Sequence, residues 1–281
     1  MPDKVSPGYS PSPRPTYDTP TLVRRIDVKR HVWGDQESGL VADWLYASTD
    51  KLHVLLFGLA PGKWFKHSPA FRTVFGADEV LYVLSGAMLA CNPKSGEVVR
   101  CQAGESVFFR AGTWHHVRAE GSEPLRVLEF FAPPPSQGTS GVYAATQPYL
   151  ETSTYQRNEL IGKLLDADPK STLCRIEPRD YSLRLEGEIA VGLIASTEYL
   201  TVGELVVAAG ACGGKTSHGG DAMIFGLEGE LMIRTHWNGS AATFEIGPQD
   251  AVFIPCKGQY EVLSFSHRAR ALLGVAPAYF P

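Results

Sequence analysis

Short apolar runs broken by Gly, Pro, Asn and Asp set the texture of this chain. In the first half they cover residues 54–59, 80–84, 88–91, 107–109 and 126–131. In the second half they cover 189–194, 203–208, 223–227, 230–235, 251–254 and 271–275. Runs of this length at regular spacing predict many short strands, and so an all-β barrel or sandwich. One stretch departs from the pattern. Over 158–166, Leu160, Ile161, Leu164 and Leu165 fall at helical spacing, which predicts a short helix.

The pattern occurs twice. Ala47-Ser48-Thr49-Asp50 leads into the run at 52–59, and Ala195-Ser196-Thr197-Glu198 into the run at 200–208. Each copy carries a strand-like stretch that ends on a glycine, Gly86 or Gly229, where a tight hairpin needs a positive φ. Each closes on Arg, an apolar run and Ala-Pro: Arg126 to Ala132-Pro133, and Arg270 to Ala276-Pro277. A repeat of more than a hundred residues is too long for a solenoid unit and marks a duplicated domain. The expected organisation is a Pro-rich arm over 1–20, a first barrel over 21–135, a linker with the short helix over 136–175, and a second barrel over 176–281.

The chain has 281 residues, 44% hydrophobic and 20% charged, as suits a folded protein of two domains. A net charge of -4 offers no basic face for phosphate, so no nucleic-acid partner is expected. Five cysteines (Cys91, Cys101, Cys174, Cys212 and Cys256), with no C-x-x-C pair, favour neither a disulfide framework nor a structural zinc site. With no apolar signal region at the N-terminus and no run long enough for a span, no membrane partner is expected and the location read is cytoplasmic.

Two local patterns carry chemistry. The first copy has Gly76-Ala77-Asp78-Glu79-Val80-Leu81-Tyr82-Val83-Leu84-Ser85-Gly86, then Gly104 to His115-His116 downstream. Together they resemble the cupin family, whose first motif is H-x-H, a glutamate and a strand ending at a glycine turn. Its second motif ends on a histidine. The second copy is similar, with Gly226-Leu227-Glu228-Gly229 and Phe253-Ile254-Pro255, so the whole chain resembles a bicupin. The fold this implies is two cupin-type β-barrels, each a double-stranded β-helix or jelly roll. In that family three His and one Glu point inward and hold a divalent metal.

The resemblance places Glu79 on the glutamate position and His115 on the last histidine, with His116 as an alternative. Arg110 stands where the family has proline. The H-x-H positions fall on Thr73 and Phe75, neither a good ligand. The turn before Glu79 is about five residues longer than its counterpart, which would let His67 reach the site. The implied first-barrel set is His67, Glu79 and His115, two imidazoles and a carboxylate of the kind that holds Fe(II), with Mn, Ni, Cu or Zn, or no metal, as alternatives. In the second barrel the glutamate position is Ala222. The set left there is His218 and Glu261, with Asp221 or His267.

Glu79, His115 and Arg110 are the catalytic candidates. Trp64, Phe65, Phe71, Tyr82, Phe109 and Trp114 would line an apolar pocket or fill the core, and Arg72 and Arg110 would grip an anion. The function implied is a metal-dependent enzyme on a small organic acid or oxygenated aromatic, of dioxygenase type. The alternatives are a metal-free isomerase, cyclase or lyase using acid–base chemistry, and a ligand-binding protein without turnover. A homodimer formed through sheet edges is the expected assembly.

Overall fold

The structure, a computed structural model, describes residues 12–36, 38–66, 74–134, 172–265, 267–277 and 279–280. The expected helix at 158–166, and His67, Phe71, Arg72 and Thr73, lie outside the described residues. Contacts divide the chain into two units.

The first unit contains β2 (Lys29–Asp35), β3 (Gly39–Ser48), β4 (His53–Leu59), β5 (Trp64–Phe65), β6 (Asp78–Ser85), β7 (Ala87–Cys91), β8 (Val98–Gln102), β9 (Ser106–Phe109), β10 (His116–Glu120), β11 (Leu125–Ala132) and β12 (Cys174–Ile176). The second contains β1 (Thr21–Val23), β13 (Ser182–Glu186), β14 (Ile189–Ser196), β15 (Thr201–Val207), β16 (Thr216–Ser217), β17 (Asp221–Glu228), β18 (Leu231–Trp237), β19 (Ser240–Ile246), β20 (Ala251–Ile254), β21 (Gln259–Leu263) and β22 (Ala269–Ala276).

Each unit is a seven-stranded sheet facing a four-stranded one. The orders are β12-β9-β6-β11-β4-β3-β2 with β5-β10-β7-β8, and β1-β20-β17-β22-β15-β14-β13 with β16-β21-β18-β19. The two orders correspond strand for strand, so the duplication read from the sequence is a duplicated all-β barrel. Among the described residues no helix is long and apolar enough to cross a membrane.

Two edge strands are placed differently from the expected boundaries. Residues 21–23, assigned to the first barrel, add β1 to the edge of the second barrel, where Leu22 pairs with Val252. Residues 174–176, assigned to the linker, add β12 to the first, where Arg175 pairs with Val107 and binds Glu105 at 2.6 Å. A segment of three residues has no periodicity of its own, and only the open ladder groups of its host sheet define it.

Side-chain alternation builds each interior. On β6, Leu81 and Val83 face the core with Val107, Phe109, Val127 and Phe131, and Val80 and Tyr82 are buried on the opposite face. Burial on both faces explains why these strands read as nearly continuous apolar runs. At the β6–β7 turn Gly86 has φ +75°, and a Cβ there would lie 2.9 Å from the Pro124 carbonyl oxygen. Gly229 repeats this at +71°, against Arg268.

Candidate active site

The first barrel's inward pleat carries polar groups among its apolar ones. Residues 79, 81 and 83 of β6 share a face, so Glu79 points into the barrel with Leu81 and Val83. Residues 125, 127, 129 and 131 of β11 do the same and bring in Glu129. On β3, Asp43 lies between inward Val41 and Leu45. His115, just ahead of β10, is 2% exposed, with its ring 4.3 Å from Phe109.

Glu79 and Glu129 meet diagonally. Glu129 pairs with Leu81 and Phe131 with Glu79 in the β6–β11 ladder, so the two carboxyls are same-face neighbours one step apart. Each carboxyl shifts the titration of the other. Two buried carboxyls this close favour a single proton held between them. Desolvation raises Glu129 to about 7, opposed by Glu79. Desolvation raises Glu79 well above the carboxylate range, helped by Glu129. Burial and then Glu129 also raise Asp43.

His115 takes the opposite shift, lowered by burial to about 4 and therefore neutral. Its Nδ1 lies 3.4 Å from the Thr113 carbonyl oxygen, which can only accept. That fixes the proton on Nδ1 and makes Nε2 a proton acceptor.

These groups border a narrow cavity inside the first barrel. Its polar edge is Asp43, His115 and Glu129; its walls include Trp33, Phe57, Phe65, Phe75 and Phe131. Phe75 and Phe131 stack at 5.5 Å and 21°.

The second barrel serves as an internal control. Asp78 and Asp221 each accept a backbone N–H at 2.9 Å, from Ala111 and Cys256. The Phe75 and His218 carbonyls likewise accept from Gly112 and Lys257 at 2.8 Å. With these anchors Glu79 corresponds to Ala222, and the strand registers match Glu129 to Leu273 and Asp43 to Val191. Every buried inward carboxyl of the first barrel is thus apolar in the second. His115 corresponds to Tyr260, whose hydroxyl donates to His218 Nε2 at 2.8 Å. His218 Nδ1 donates to the Tyr279 carbonyl, and the Tyr279 hydroxyl binds Glu186.

The expected site residues fare unequally. Glu79 and His115 both come inside and flank Phe109, Glu79 through the β6–β9 ladder. His67, the third expected ligand, lies outside the described residues. Among the described residues no group of three or more His, Cys, Asp or Glu is placed to hold a metal. Arg110 is half-exposed and binds the buried Asp78 at 2.7 Å, away from the cavity lining. His218 has both ring nitrogens engaged within the second barrel. Glu261 lies between inward Tyr260 and Val262, so it faces outward, 3.5 Å from Arg234 and 3.7 Å from His236. Neither suits a metal ligand, because one is spent on protein groups and the other is on the wrong face. Asp221, an alternative there, is held by the Cys256 N–H.

Of the expected aromatic lining, Phe65 is at the cavity and Trp64 is 48% exposed. Tyr82 is buried on the outer face. Trp33, Phe57, Phe75 and Phe131 complete the walls instead. Glu129 and Asp43 were missed. Glu129 had a signal, as a carboxyl among Val127, Leu128, Phe130 and Phe131 with Leu273 in its place in the second copy.

A model of the cupin domain matches residues 75–131, the segment holding Glu79, His115 and Glu129. No curated protein matches the sequence. Among solved structures, the chain is similar to protein Ylba from E. coli, at 11% identity and TM-score 0.64 over 92% of this chain and 90% of that one. It is similar to AerE from Microcystis aeruginosa, at 11% identity and TM-score 0.59 over 89% and 97%. It is similar to Bacillus subtilis oxalate decarboxylase, a protein with Mn(II) centres, at 13% identity and TM-score 0.62 over 95% and 79%. At these identities the likeness is one of fold.

Proposed function

We propose that this chain, which carries a cupin domain in its first barrel and a second barrel of the same fold, is a two-barrel small-molecule enzyme whose chemistry is proton transfer in the first barrel. The observation that carries this reading is the Glu79–Glu129 pair at an aromatic-walled cavity. A group whose pKa lies near the working pH both takes and returns a proton efficiently, and Glu129 sits near 7. Glu129 borders the cavity; Glu79 stands behind it and holds the shared proton. Neutral His115 offers Nε2 as a second acceptor. Two acceptors and a proton reservoir suit an isomerase, cyclase or lyase step, in which a proton leaves one atom of a substrate and another is returned.

The divalent ion that the cupin resemblance implies is a second reading, favoured by one observation: Glu79 Oε2 is buried with no hydrogen-bond partner among the described residues. Glu79 and His115 supply two of the expected ligands. Phe75, an H-x-H position, packs its ring on Phe131 and supplies none. The described residues therefore do not complete the set, and no step is derived through an ion. An oxidoreductase of dioxygenase type depends on that ion, with His67 as its third ligand.

Deuterium incorporation separates the readings. Enolisable cyclic ketones and phenolic ketones are incubated with the protein in D2O and followed by NMR. Proton transfer predicts carbon–deuterium exchange that Glu129→Gln abolishes and EDTA leaves intact. Exchange lost to EDTA and kept in Glu129→Gln, with about one Fe or Mn per chain by elemental analysis, would move the assignment to the metal.

A further inference from the structure

The second barrel holds a phenol ring of its own at the place where the first barrel holds a cavity. Arg184 and Glu186 alternate with the exposed Leu183 and Leu185 on β13, so both point into the barrel. With Val191 matched to Asp43, the β13–β14 and β2–β3 ladders match Glu186 to Trp33. The loop anchors match His218 to Phe75. Trp33 and Phe75 are walls of the first-barrel cavity. Their counterparts close on the buried side chain of Tyr279. Its hydroxyl donates to Glu186 at 2.5 Å, its ring lies 4.7 Å from that of His218, and the Arg184 guanidinium stands 4.5 Å over the ring.

Each part of a phenol is thus met: the hydroxyl by an acceptor, the ring face by a cation, and the body by the apolar cluster it joins. The segment that delivers this ring belongs to no sheet. The β22 ladders end at Ala276, opposite Asp221. Beyond them, the Tyr279 carbonyl accepts from His218 Nδ1 at 2.5 Å and the Phe280 carbonyl from the Gly219 N–H at 3.1 Å. Phe280 itself is 55% exposed. A segment held by a few bonds outside the ladders opens at far less cost than a core strand. We infer that the second barrel is a binding site for a phenolic ring, kept shut by Tyr279 acting as a tethered ligand. The segment carrying Tyr279 swings out to admit a free phenol while the barrel stays folded.

The probe is p-cresol, the tyrosine side chain as a free molecule, with toluene as the same ring without the hydroxyl. Binding to the full chain is read by calorimetry, and its place by NMR contacts with the His218 ring. Tyr279→Gly should bind one p-cresol more per chain than the parent, in contact with His218. Toluene should bind that site at least about fivefold more weakly, because Glu186 then lacks its donor. In the parent, p-cresol at about a hundredfold the variant's Kd should displace Tyr279 from His218, its apparent affinity being reduced by the fraction of chains that are open. Absence of the extra site from folded Tyr279→Gly, toluene binding as tightly as p-cresol, or a Tyr279–His218 contact that survives p-cresol in the parent would each overturn the inference. If Tyr279→Gly does not fold alone, refolding decides: recovery with p-cresol and not with toluene supports the site, and equal recovery with both, or none, overturns it. No turnover is read, so the proton-transfer reading of the first barrel stands or falls separately.

Discussion

Glu129 on β11 and Glu79 on β6 are diagonal same-face neighbours inside the first barrel, at positions where the second barrel has Leu273 and Ala222. Burial raises Glu129 from 4.5 to about 7, against the lowering effect of Glu79. A raised carboxyl adds stability in full below its unfolded value, and that stability is lost as pH rises through the folded value. Glu129→Leu, which installs the second barrel's residue, should flatten the pH profile and raise stability at about pH 8 by roughly 1–3 kcal/mol. Urea melts across pH check this; parallel profiles for variant and parent would refute it.

The histidines predict the opposite slope. His53 is fully buried, with Nδ1 2.8 Å from the Ser48 hydroxyl, and burial, then Arg14, lowers it to about 3. His115 is lowered to about 4. A lowered histidine contributes stability that is full above the ordinary value of 6.5 and lost as pH falls through the folded value. Ser196 and Thr201 make the corresponding bond in the second barrel at 2.8 Å. His53→Thr should therefore shift the midpoint of acid unfolding to lower pH, monitored by circular dichroism.

Two glycines with similar backbone angles should differ in cost. Gly86→Ala combines φ +75° with a Cβ 2.9 Å from a carbonyl oxygen, whereas Gly62 at φ +71° has nothing within 4 Å. Gly86→Ala is expected to lose about 2–4 kcal/mol and Gly62→Ala about 1 kcal/mol. Thermal melts of the two variants measure the difference.

His218→Gln breaks the bonds that close the second barrel's interior. It should cost roughly 1–3 kcal/mol of stability and leave deuterium exchange in the first barrel unchanged. Loss of exchange in a folded His218→Gln protein would show that the second barrel takes part in the chemistry.

The fold was legible because the short apolar runs and the repeated turns are local signals that the sheets kept. Gly86 and Gly229 were identifiable from their place after a strand, and Glu79 and His115 from motif spacing. The edge strands were not, since residues 21–23 and 174–176 are defined by the host sheet. Arg110 was read as a substrate group because a sequence shows a charge without its partner, Asp78. Asp43 carried no such signal, and the carboxyl that Glu129 sets in an apolar run was not tied to Glu79, because the register that makes them diagonal neighbours is a property of paired strands.

The central claim, that Glu79 and Glu129 share a proton near neutral pH, is tested most directly by infrared difference spectroscopy of the full chain. The account predicts a protonated-carboxyl band present at about pH 6, titrating with a midpoint near 7 and lost in Glu129→Gln. Fully ionised carboxylates at about pH 6, or a protonated-carboxyl band that survives unchanged in Glu129→Gln, would contradict it.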